Sequence, residues 1–380
     1  MASTPMLTAD ALTVKRWEMT GWLNVGQSTA LGRMFDNGAV YFPEEFLGKD
    51  TKGDQVTYDY IGKMTGHPIG EGGVLDGNEK ALDLGSFSMV INETRDAVLI
   101  PSSGIEPQRA KLNMEKAAKT VLPARAAELI DTGVFQQLAG VNPTSFTMNG
   151  TTYDSAARKL HVQGHNTIVV PSSSRIVRAA AAATDQAITS SDKMTLQLID
   201  YAMELNAVSD QPMEPLDNGD FDLYLHPYQI VDLRLDATSA IQWNAIELAR
   251  LEGGKKNDFD GKFGNKMPRV IGKYGNINLI EHNRVAQGAT NDTGAVITTV
   301  RRAVLVGKNA LTFASPYGGR PDDDDVPLKI VDQLKDYKKY KGLGFELLYG
   351  LKKCVATTQS GSTPQDIGVC VIGTYAAAHT

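Results

Sequence analysis

The chain has 380 residues, of which 42% are hydrophobic and 22% are charged, and its formal net charge is −6 at pH 7. A chain of this length can bury a sizeable core, divided over roughly two or three lobes. The acidic balance argues against sequence-specific DNA binding, and no stretch has the apolar character of a signal peptide or the length of a membrane span, so we expect a globular protein made in the cytosol.

The amino-terminal part of the chain is predicted to be an irregular arm followed by a long hairpin. No helix or strand period persists over residues 1–52, which contain Trp17 and Trp22, and such an arm is expected to dock on another surface. Alternation of apolar and polar residues starts at Val56 and resumes at Leu82, with a glycine-rich tip between the two strands.

The returning strand of this hairpin contains two alternating registers that meet at Gly85 and Ser86, which predicts a β-bulge there. A two-stranded hairpin is marginal in water by itself. It must therefore pack either on its own lobe or on a neighbouring copy of the chain, and the residues alone leave both options open.

A long helix is predicted after the hairpin. Apolar residues recur at helical spacing at Met114, Ala118, Leu122, Ala126, Ile130 and Leu138. The pattern predicts a helix of about 30 residues, roughly 45 Å long. Because a proline inside a helix removes one hydrogen bond, Pro123 predicts either a kink near Lys119 or two helices that meet there.

The second half of the chain mixes strands and helices. Strands are predicted at "NTIVV", at the start of "FDLYLHPYQIVDLRLD", at "GNINLIEHNRV" and through most of the last third. Helices are predicted at "RIVRAAAAAT", at "DKMTLQLIDYAMELNAV" with Ser190 or Ser191 as its cap, after Pro227, and at "AIQWNAIELARLEGG". Since this order lacks the regular alternation of a doubly wound sheet, it indicates an α+β fold.

The sequence contains no motif for enzymatic chemistry. None of its six Gly-Lys pairs is followed by Ser or Thr, so no P-loop can place a hydroxyl on magnesium. No G-x-S-x-G elbow, H-E-x-x-H pair or dinucleotide-binding fingerprint occurs. We therefore predict a protein that is not an enzyme and that uses no cofactor.

The histidines are weak candidates for a site. His161 and His165 have the spacing of a helical metal pair, but Gly164 between them and the apolar residues that follow favour strand or loop, so we interpret both as surface histidines. His226 precedes Pro227, and no Ser, Cys or acid at a suggestive spacing completes a triad. We predict that His226 is structural and hydrogen-bonds the turn.

The acidic runs and the cysteines do not predict a metal site. The run at residues 322–325 and the acids Asp258 and Asp260 lack EF-hand spacing, and we interpret them as solvated loops, with calcium at the first run left open. Cys354 and Cys370 have no metal-ligand spacing and are predicted to be buried, reduced thiols on a hairpin.

Several stretches, taken in order, resemble one protein family. They are the alternating hairpin with "GNE" at its returning strand, "EPQR" before the long helix, "LHPYQIVDLR", "IEHNRV", and "YKGLGFELLYGLKKCV" followed by "DIGVCVIGTYAA". Over about residues 50–378 this order resembles the major capsid proteins of tailed bacteriophages and, more narrowly, their N-four-like branch. Pro123 and "NKMPRVIGKYG" depart from the family pattern.

The resemblance implies the Hong Kong 97-type capsid fold. In that fold the present chain would have an N-terminal arm (1–52), an extended E-loop hairpin (53–100), a peripheral domain with a spine helix (101–214), an axial domain (215–300) and returning strands of the peripheral domain (301–380). The resemblance places inter-subunit contacts of the E-loop at Lys63, Gly66, Gly73, Glu79 and Lys80. It places the start of the spine helix at Gln108 and Arg109.

The implied function is that of a structural protein that assembles with itself into pentamers and hexamers of an icosahedral head. Its implied partners are portal, scaffolding and decoration proteins and, without specificity, the packaged double-stranded DNA, but no membrane; its implied location is the virion, after assembly in the bacterial cytoplasm. One branch of the fold forms an autocatalytic Lys-Asn cross-link, for which Lys63 or Lys80 would supply the amine, although nothing in the sequence demands it. The alternatives are another multimeric virion component, such as a tail-tube or decoration protein, and a cytosolic hydrolase.

Overall fold

The computed structural model describes residues 22, 25, 29–41, 53–61, 67–80, 84–109, 113–209, 211–236, 269–317, 327–356 and 365–379. Several predicted features lie outside these residues: Trp17, Lys63, Gly66, Asp258, Asp260, the acidic run at 322–325, and the helix predicted at "AIQWNAIELARLEGG".

The described residues form both helices and strands. The α-helices are α1 (Ala30–Asp36), α2 (Ile105–Arg109), α3 (Met114–Ala139), α4 (Ala156–Val162), α5 (Leu196–Val208) and α6 (Pro227–Leu235). The first strands are β1 (Val40–Tyr41), β2 (Gln55–Ile61), β3 (Leu84–Val90), β4 (Asn92–Pro101), β5 (Phe146–Met148), β6 (Thr151–Tyr153), β7 (Ile176–Arg178), β8 (Phe221–Leu225) and β9 (Arg269–Tyr274). The later strands are β10 (Ile277–Glu281), β11 (Gln287–Ala289), β12 (Val296–Val306), β13 (Leu311–Ala314), β14 (Leu328–Lys335), β15 (Tyr340–Lys353), β16 (Val355–Ala356), β17 (Gln365–Asp366) and β18 (Val369–Tyr375).

Two larger sheets organise the described part of the chain. One has seven strands in the order β7-β18-β12-β8-β10-β9, with β11 paired to β12. The other has five strands in the order β1-β13-β15-β14, with β4 paired to β15. The main core contains apolar residues of α3 and of both sheets, and a second core lies where α5 and α6 pack on the seven-stranded sheet.

The long helix α3 confirms the periodic pattern, although its bounds differ from the prediction. It begins at Met114, where the Asn113 side chain accepts a hydrogen bond from the Lys116 amide at 3.1 Å, and it ends at Ala139, followed by the C-cap Gly140, whose φ is +62°. Five of its six periodic residues are buried, namely Ala118, Leu122, Ala126, Ile130 and Leu138. One helix continues across Pro123, so the alternative of two helices meeting near Lys119 is wrong.

Gly133 lies where α3 packs against the carboxyl end of α4. A Cβ atom on Gly133 would lie 2.3 Å from the backbone oxygen of Val162. We expect Gly133→Ala to lower the free energy of unfolding by about 1–3 kcal/mol, although alanine is the better helix former by about 1 kcal/mol. Urea unfolding measures this, with Thr120→Ala on the exposed side of α3 as a control that should be nearly neutral. A Gly133→Ala protein as stable as the wild type would contradict the close approach.

Three local predictions are wrong, and the first of them is overridden by a tertiary contact. "RIVRAAAAAT" does not form a helix, because residues 176–178 pair in parallel with residues 371–373 of β18 and complete one edge of the seven-stranded sheet. Ala180 and Ala181 then adopt positive φ values of 52° and 53°. "NTIVV" forms no strand. The bulge at Gly85 and Ser86 is absent, since β2 and β3 pair without a register shift, and the interruption falls at Ile91.

Other elements are confirmed with adjusted ends. The strand before Pro227 and the helix after it are β8 and α6, and "GNINLIEHNRV" contains β10. The helix at "DKMTLQLIDYAMELNAV" begins later than predicted, because Thr195 is its N-cap in place of Ser190 or Ser191. The Thr195 hydroxyl accepts a hydrogen bond from the Leu198 amide at 3.4 Å.

Part of the predicted arm is embedded in the core of its own subunit. Trp22 is buried, and its ring centroid lies 6.3 Å from that of Phe313. Helix α1 is held at its first residue, where the Ala30 amide donates to the Asp131 carboxylate of α3 at 2.9 Å. Arg33 of α1 forms a buried ion pair with Asp222 of β8, with Nε and Oδ2 2.8 Å apart. These contacts attach α1 both to the long helix and to the seven-stranded sheet.

Both cysteines are free and buried, as predicted. Burial raises the pKa of the Cys354 thiol and of the Cys370 thiol to about 12. At pH 8 only about one such thiol in 10,000 is a thiolate, the form that reacts. We expect the native protein to react with a disulfide reagent such as DTNB at least about 100-fold more slowly than the same protein in denaturant, where both thiols should titrate. Rapid labelling of the native protein would contradict the burial of these thiols.

Candidate assembly surface

The base of the β2–β3 hairpin packs on its own subunit. Val56, Tyr58 and Met89 are buried in a small cluster with Ala314 of β13, and the Tyr58 ring stacks on Phe87 with 4.9 Å between centroids. These contacts bury one apolar side of the hairpin next to the five-stranded sheet. The base therefore takes the first of the two options that the sequence left open.

Polar contacts also hold the hairpin base. The Asn166 side chain accepts a hydrogen bond from the Val90 amide at 2.8 Å and donates one to the Val90 carbonyl at 2.9 Å. Lys352 donates from Nζ to the Ser88 carbonyl at 2.6 Å. Asn166 belongs to the segment predicted as a strand, where it instead satisfies the backbone at the interruption between β3 and β4.

The outer part of the hairpin extends away from these contacts. Residues 67–80, which we call the tip, are exposed except for Ile69 and Lys80, which are half-buried. Val74 and Leu75 have side chains 68% and 70% exposed, and Ile61 at the end of β2 is 70% exposed. These exposed apolar side chains make the tip a candidate surface for association.

Two predicted contact residues, Glu79 and Lys80, hold the shape of the tip. The Glu79 carboxylate accepts a hydrogen bond from the Gly77 amide at 2.8 Å, and Lys80 donates from Nζ to the His67 carbonyl. Gly73 donates from its amide to the Gly70 carbonyl at 3.1 Å, and a Cβ atom on Gly73 would lie 2.1 Å from Ile69 Cγ2. These residues therefore organise the tip that presents Val74 and Leu75.

Gln108 and Arg109 precede the long helix. They lie exposed in the short helix α2, whereas α3 begins at Met114.

The sequence analysis did not single out Val74 and Leu75, although two apolar residues inside a polar, glycine-rich tip could have been noticed as an exposed apolar pair.

A second exposed surface lies on the three-stranded part of the five-stranded sheet formed by β4, β15 and β14, which we call the ribbon. Its inner face carries Leu343, Phe345 and Leu347 of β15, which are buried in the main core with α3. Its outer face exposes Leu99 and Val331, and the turn at its end exposes Tyr337 completely. The ribbon is thus amphipathic, with a covered face and an open one.

The histidines have structural roles. His226 is the N-cap of α6, where its Nδ1 accepts a hydrogen bond from the Tyr228 amide at 3.2 Å, so the predicted structural role is confirmed. Burial, followed by the charges of Arg301 and His282, lowers the pKa of His226 to about 3. A neutral ring at physiological pH suits an acceptor in a cap.

The interpretation of His165 as a surface residue is wrong. His165 is buried, and its Nε2 lies 2.9 Å from the Thr94 hydroxyl of β4. His161 lies in helix α4, where strand or loop was predicted.

Within the described ranges, no group of three or more His, Cys, Asp or Glu side chains has the geometry of a metal site. No helix in that same part of the chain is long and apolar enough to cross a membrane.

The fold is that of phage capsids. The chain is similar to the capsid protein of Ralstonia phage GP4, with a TM-score of 0.67 and 20% identity over 91% of this chain and 90% of that one. It is also similar to the Cyanophage Pam1 capsid (TM-score 0.58, 16% identity, 90% and 89% covered) and to the head of Helicobacter pylori bacteriophage KHP40 (TM-score 0.56, 13% identity, 89% and 88% covered). These similarities confirm the predicted Hong Kong 97-type α+β fold.

A comparison with curated protein sequences gives no significant match. A family model described as phage capsid protein matches residues 45–378, which is most of the chain. The chain therefore belongs to the phage capsid protein family and is a structural component of the virion shell.

Proposed function

We propose that the chain is the major capsid subunit of a tailed phage, and that it forms the pentamers and hexamers of an icosahedral head. The observation that carries this proposal is a hairpin attached to its own subunit at the base while its tip exposes Val74 and Leu75. A closed shell needs many repeated contacts between identical subunits, and an extended hairpin of this kind supplies one contact per copy. The family match argues against the tail-tube, decoration and hydrolase alternatives.

In this proposal the chain divides as the resemblance implies: arm (1–52), E-loop (53–100), peripheral domain (101–214), axial domain (215–300) and returning strands (301–380). Two observations bear on these bounds. Strand β12 crosses position 300, and it joins β8 to β18 in one continuous sheet. The axial and returning segments therefore share a sheet. In this proposal the boundary between them separates two roles in the shell and not two units that fold independently.

We propose that the subunit is not an enzyme and that its partners are other copies of itself and, in the assembled head, portal, scaffolding and decoration proteins. Packaged DNA would be held by enclosure without specific contacts, since a net charge of −6 does not favour binding to phosphates. Lys80 donates to a carbonyl within its own tip, which favours a structural role for its amine over a cross-link.

The test is to express the chain in bacteria, alone and together with the other head proteins of its phage, and to sediment the products and image them by negative-stain microscopy. Closed shells or rings of five and six subunits are the expected result. Small defined oligomers under both conditions would contradict the proposal. Boiling the particles in detergent should release monomers, and their absence would indicate covalent cross-links.

A further inference from the structure

A lysine and an aspartate are enclosed together in the interior of the subunit. Lys353 is the last residue of β15 and Asp366 is the last residue of β17, and 2.8 Å separate Lys353 Nζ from Asp366 Oδ1. The two side chains are 0% and 1% exposed. Side chains of these types are almost never buried this completely unless they act as a pair. The proposed function uses neither of them.

The pair lacks the hydrogen bonds that stabilise a buried ion pair. Within the described part of the chain, neither Lys353 Nζ nor either carboxylate oxygen of Asp366 makes a hydrogen bond of normal geometry. In the buried pair of Arg33 and Asp222, by contrast, two hydrogen bonds of 2.8 Å and 3.1 Å join the side chains. Because two charges lose their hydration in the interior, an ion pair without such bonds is poorly stabilised there.

Burial favours the uncharged form of both side chains. It lowers the pKa of the Lys353 amine and raises the pKa of the Asp366 carboxyl group, against the attraction between the two. Transfer of one proton from the ammonium to the carboxylate leaves a neutral amine beside a carboxylic acid. A lysine amine that is desolvated in this way is a nucleophile, and the carboxyl carbon next to it is an electrophile.

Two groups beside Asp366 favour negative charge on its carboxyl group. Arg175 is buried, and its Nε donates a hydrogen bond to the Asp366 backbone carbonyl at 3.1 Å. The Ser172 amide and the charge of Arg175 both lower the pKa of the Asp366 carboxyl group, although burial has the larger, opposite effect. Fixed donors and charges of this kind stabilise the oxyanion that forms when a nucleophile attacks a carboxyl carbon.

We propose that Lys353 and Asp366 of one subunit condense to form an isopeptide bond. Lys353 Nζ attacks Asp366 Cγ, so that the Nζ–Cγ bond forms and the bond from Cγ to the hydroxyl oxygen breaks. The hydroxyl group takes one of the two amine protons and leaves as water, and no other reactant is needed. The product is a neutral amide, which removes both charges from the interior.

The bond lies within one chain, between the end of β15 and β17. It is therefore distinct from a cross-link between copies, and a subunit that contains it still migrates as a monomer after boiling in detergent. Its formation depends on the fold of the subunit and not on assembly into shells.

The mass of the intact chain tests the bond without any substitution. Chain from folded protein, denatured just before measurement, should be lighter than the sequence by one water molecule. Chain recovered from inclusion bodies and kept in denaturant should have the full mass, because only folding holds the amine against the carboxyl group. The full sequence mass in folded protein after prolonged incubation at growth temperature would overturn the proposal.

Digestion with trypsin places the bond and separates it from other losses of water. No lysine or arginine follows Lys353, so an unmodified chain is cut after Lys353 and releases residues 354–380. Trypsin does not cut after an acylated lysine, so the bonded chain should release residues 353–380 less one water. A succinimide at an aspartate also loses water but leaves Lys353 open to cutting. Release of residues 354–380 from the lighter chain would therefore overturn the proposal.

Substitution of the nucleophile gives a further test. Lys353→Arg keeps the positive charge, but a guanidinium stays protonated and does not attack a carboxyl group, so this chain should have its full sequence mass. The matched control is Lys273→Arg, since Lys273 Nζ lies 2.7 Å from Asp220 Oδ1 in a pair with a half-exposed lysine. The control should still lose one water. A loss of water that persists in Lys353→Arg would overturn the proposal, and the wild-type mass and peptide decide if that variant does not fold.

Discussion

Replacing Val74 and Leu75 of the hairpin tip by serine should abolish shell formation while the subunit stays folded. Burying side chains of this size contributes about 1.5–3 kcal/mol each, so the contact made by one tip would lose about 3–6 kcal/mol. That loss lowers the association constant of each contact at least about 100-fold. Because every copy in a shell makes the same contact, the effect is multiplied over the assembly.

The measurement is the yield of particles in a sucrose gradient, with thermal unfolding to check the fold. The matched control is Val208→Ser with Leu235→Ser, since these two side chains are also exposed but lie at the ends of α5 and α6. The control should assemble normally. The free energy of unfolding of both variants should lie within about 0.5 kcal/mol of the wild-type value. Deleting residues 65–75 should have the same effect as the tip substitutions. Normal shells from either tip variant would refute the role assigned to the hairpin.

Removing the Asp222 carboxylate should cause the largest loss of subunit stability. Asp222 is buried and accepts hydrogen bonds from Arg33 Nε at 2.8 Å, Arg33 Nη2 at 3.1 Å, Asn37 Nδ2 at 2.9 Å and Asn278 Nδ2 at 2.9 Å. Burial opposes the charge on Arg33, but hydrogen bonding and attraction from Asp222 raise the pKa of its guanidinium overall. Asp222→Ala would leave these donors without that acceptor inside the protein.

We expect Asp222→Ala to lower the free energy of unfolding by about 3–5 kcal/mol, as for other buried ion pairs that lose one partner. Asp222→Asn keeps one acceptor oxygen and should cost about 1–3 kcal/mol, which provides a folded variant if the alanine protein does not accumulate. Urea unfolding is best measured with the assembly-defective Val74→Ser and Leu75→Ser substitutions present, so that shell contacts do not contribute.

The control for Asp222 is Asp154→Ala, which breaks an exposed ion pair with Arg158 one helical turn away. That change should cost less than about 1 kcal/mol, because water screens exposed charges. Equal losses from the two substitutions would show that the contacts between α1 and β8 do not stabilise the subunit as proposed.

The elements that the sequence predicted well are those whose local pattern and tertiary environment agree. The apolar residues of α3 recur at helical spacing, and the same residues are buried against the sheets. The buried strand β8 ends at Leu225, His226 caps the next helix α6, and Pro227 occupies its first turn, where a missing amide costs nothing. Periodicity and cap chemistry were sufficient there.

The elements that the sequence missed depend on partners far away in the chain. The alanine-rich segment 175–184 favours a helix locally, but pairing of β7 with β18 and the ion pair between Arg178 and Asp185, 2.8 Å apart, favour a strand and a turn. The local sequence predicted His165 at the surface, but in the folded chain Thr94 and Tyr349 pack against its ring. No local pattern encodes a partner about 190 residues later in the sequence.

The sequence by itself determined the fold class, the long helix, the hairpin and, through ordered motifs, the capsid resemblance, because periodicity and turn chemistry are local properties of the chain. Only the tertiary structure decided that the hairpin base packs on its own subunit while Val74 and Leu75 stay exposed, and that Lys353 and Asp366 meet in the interior. Burial depends on which distant strands become neighbours, and a sequence pattern shows that a residue is apolar but not which surface covers it.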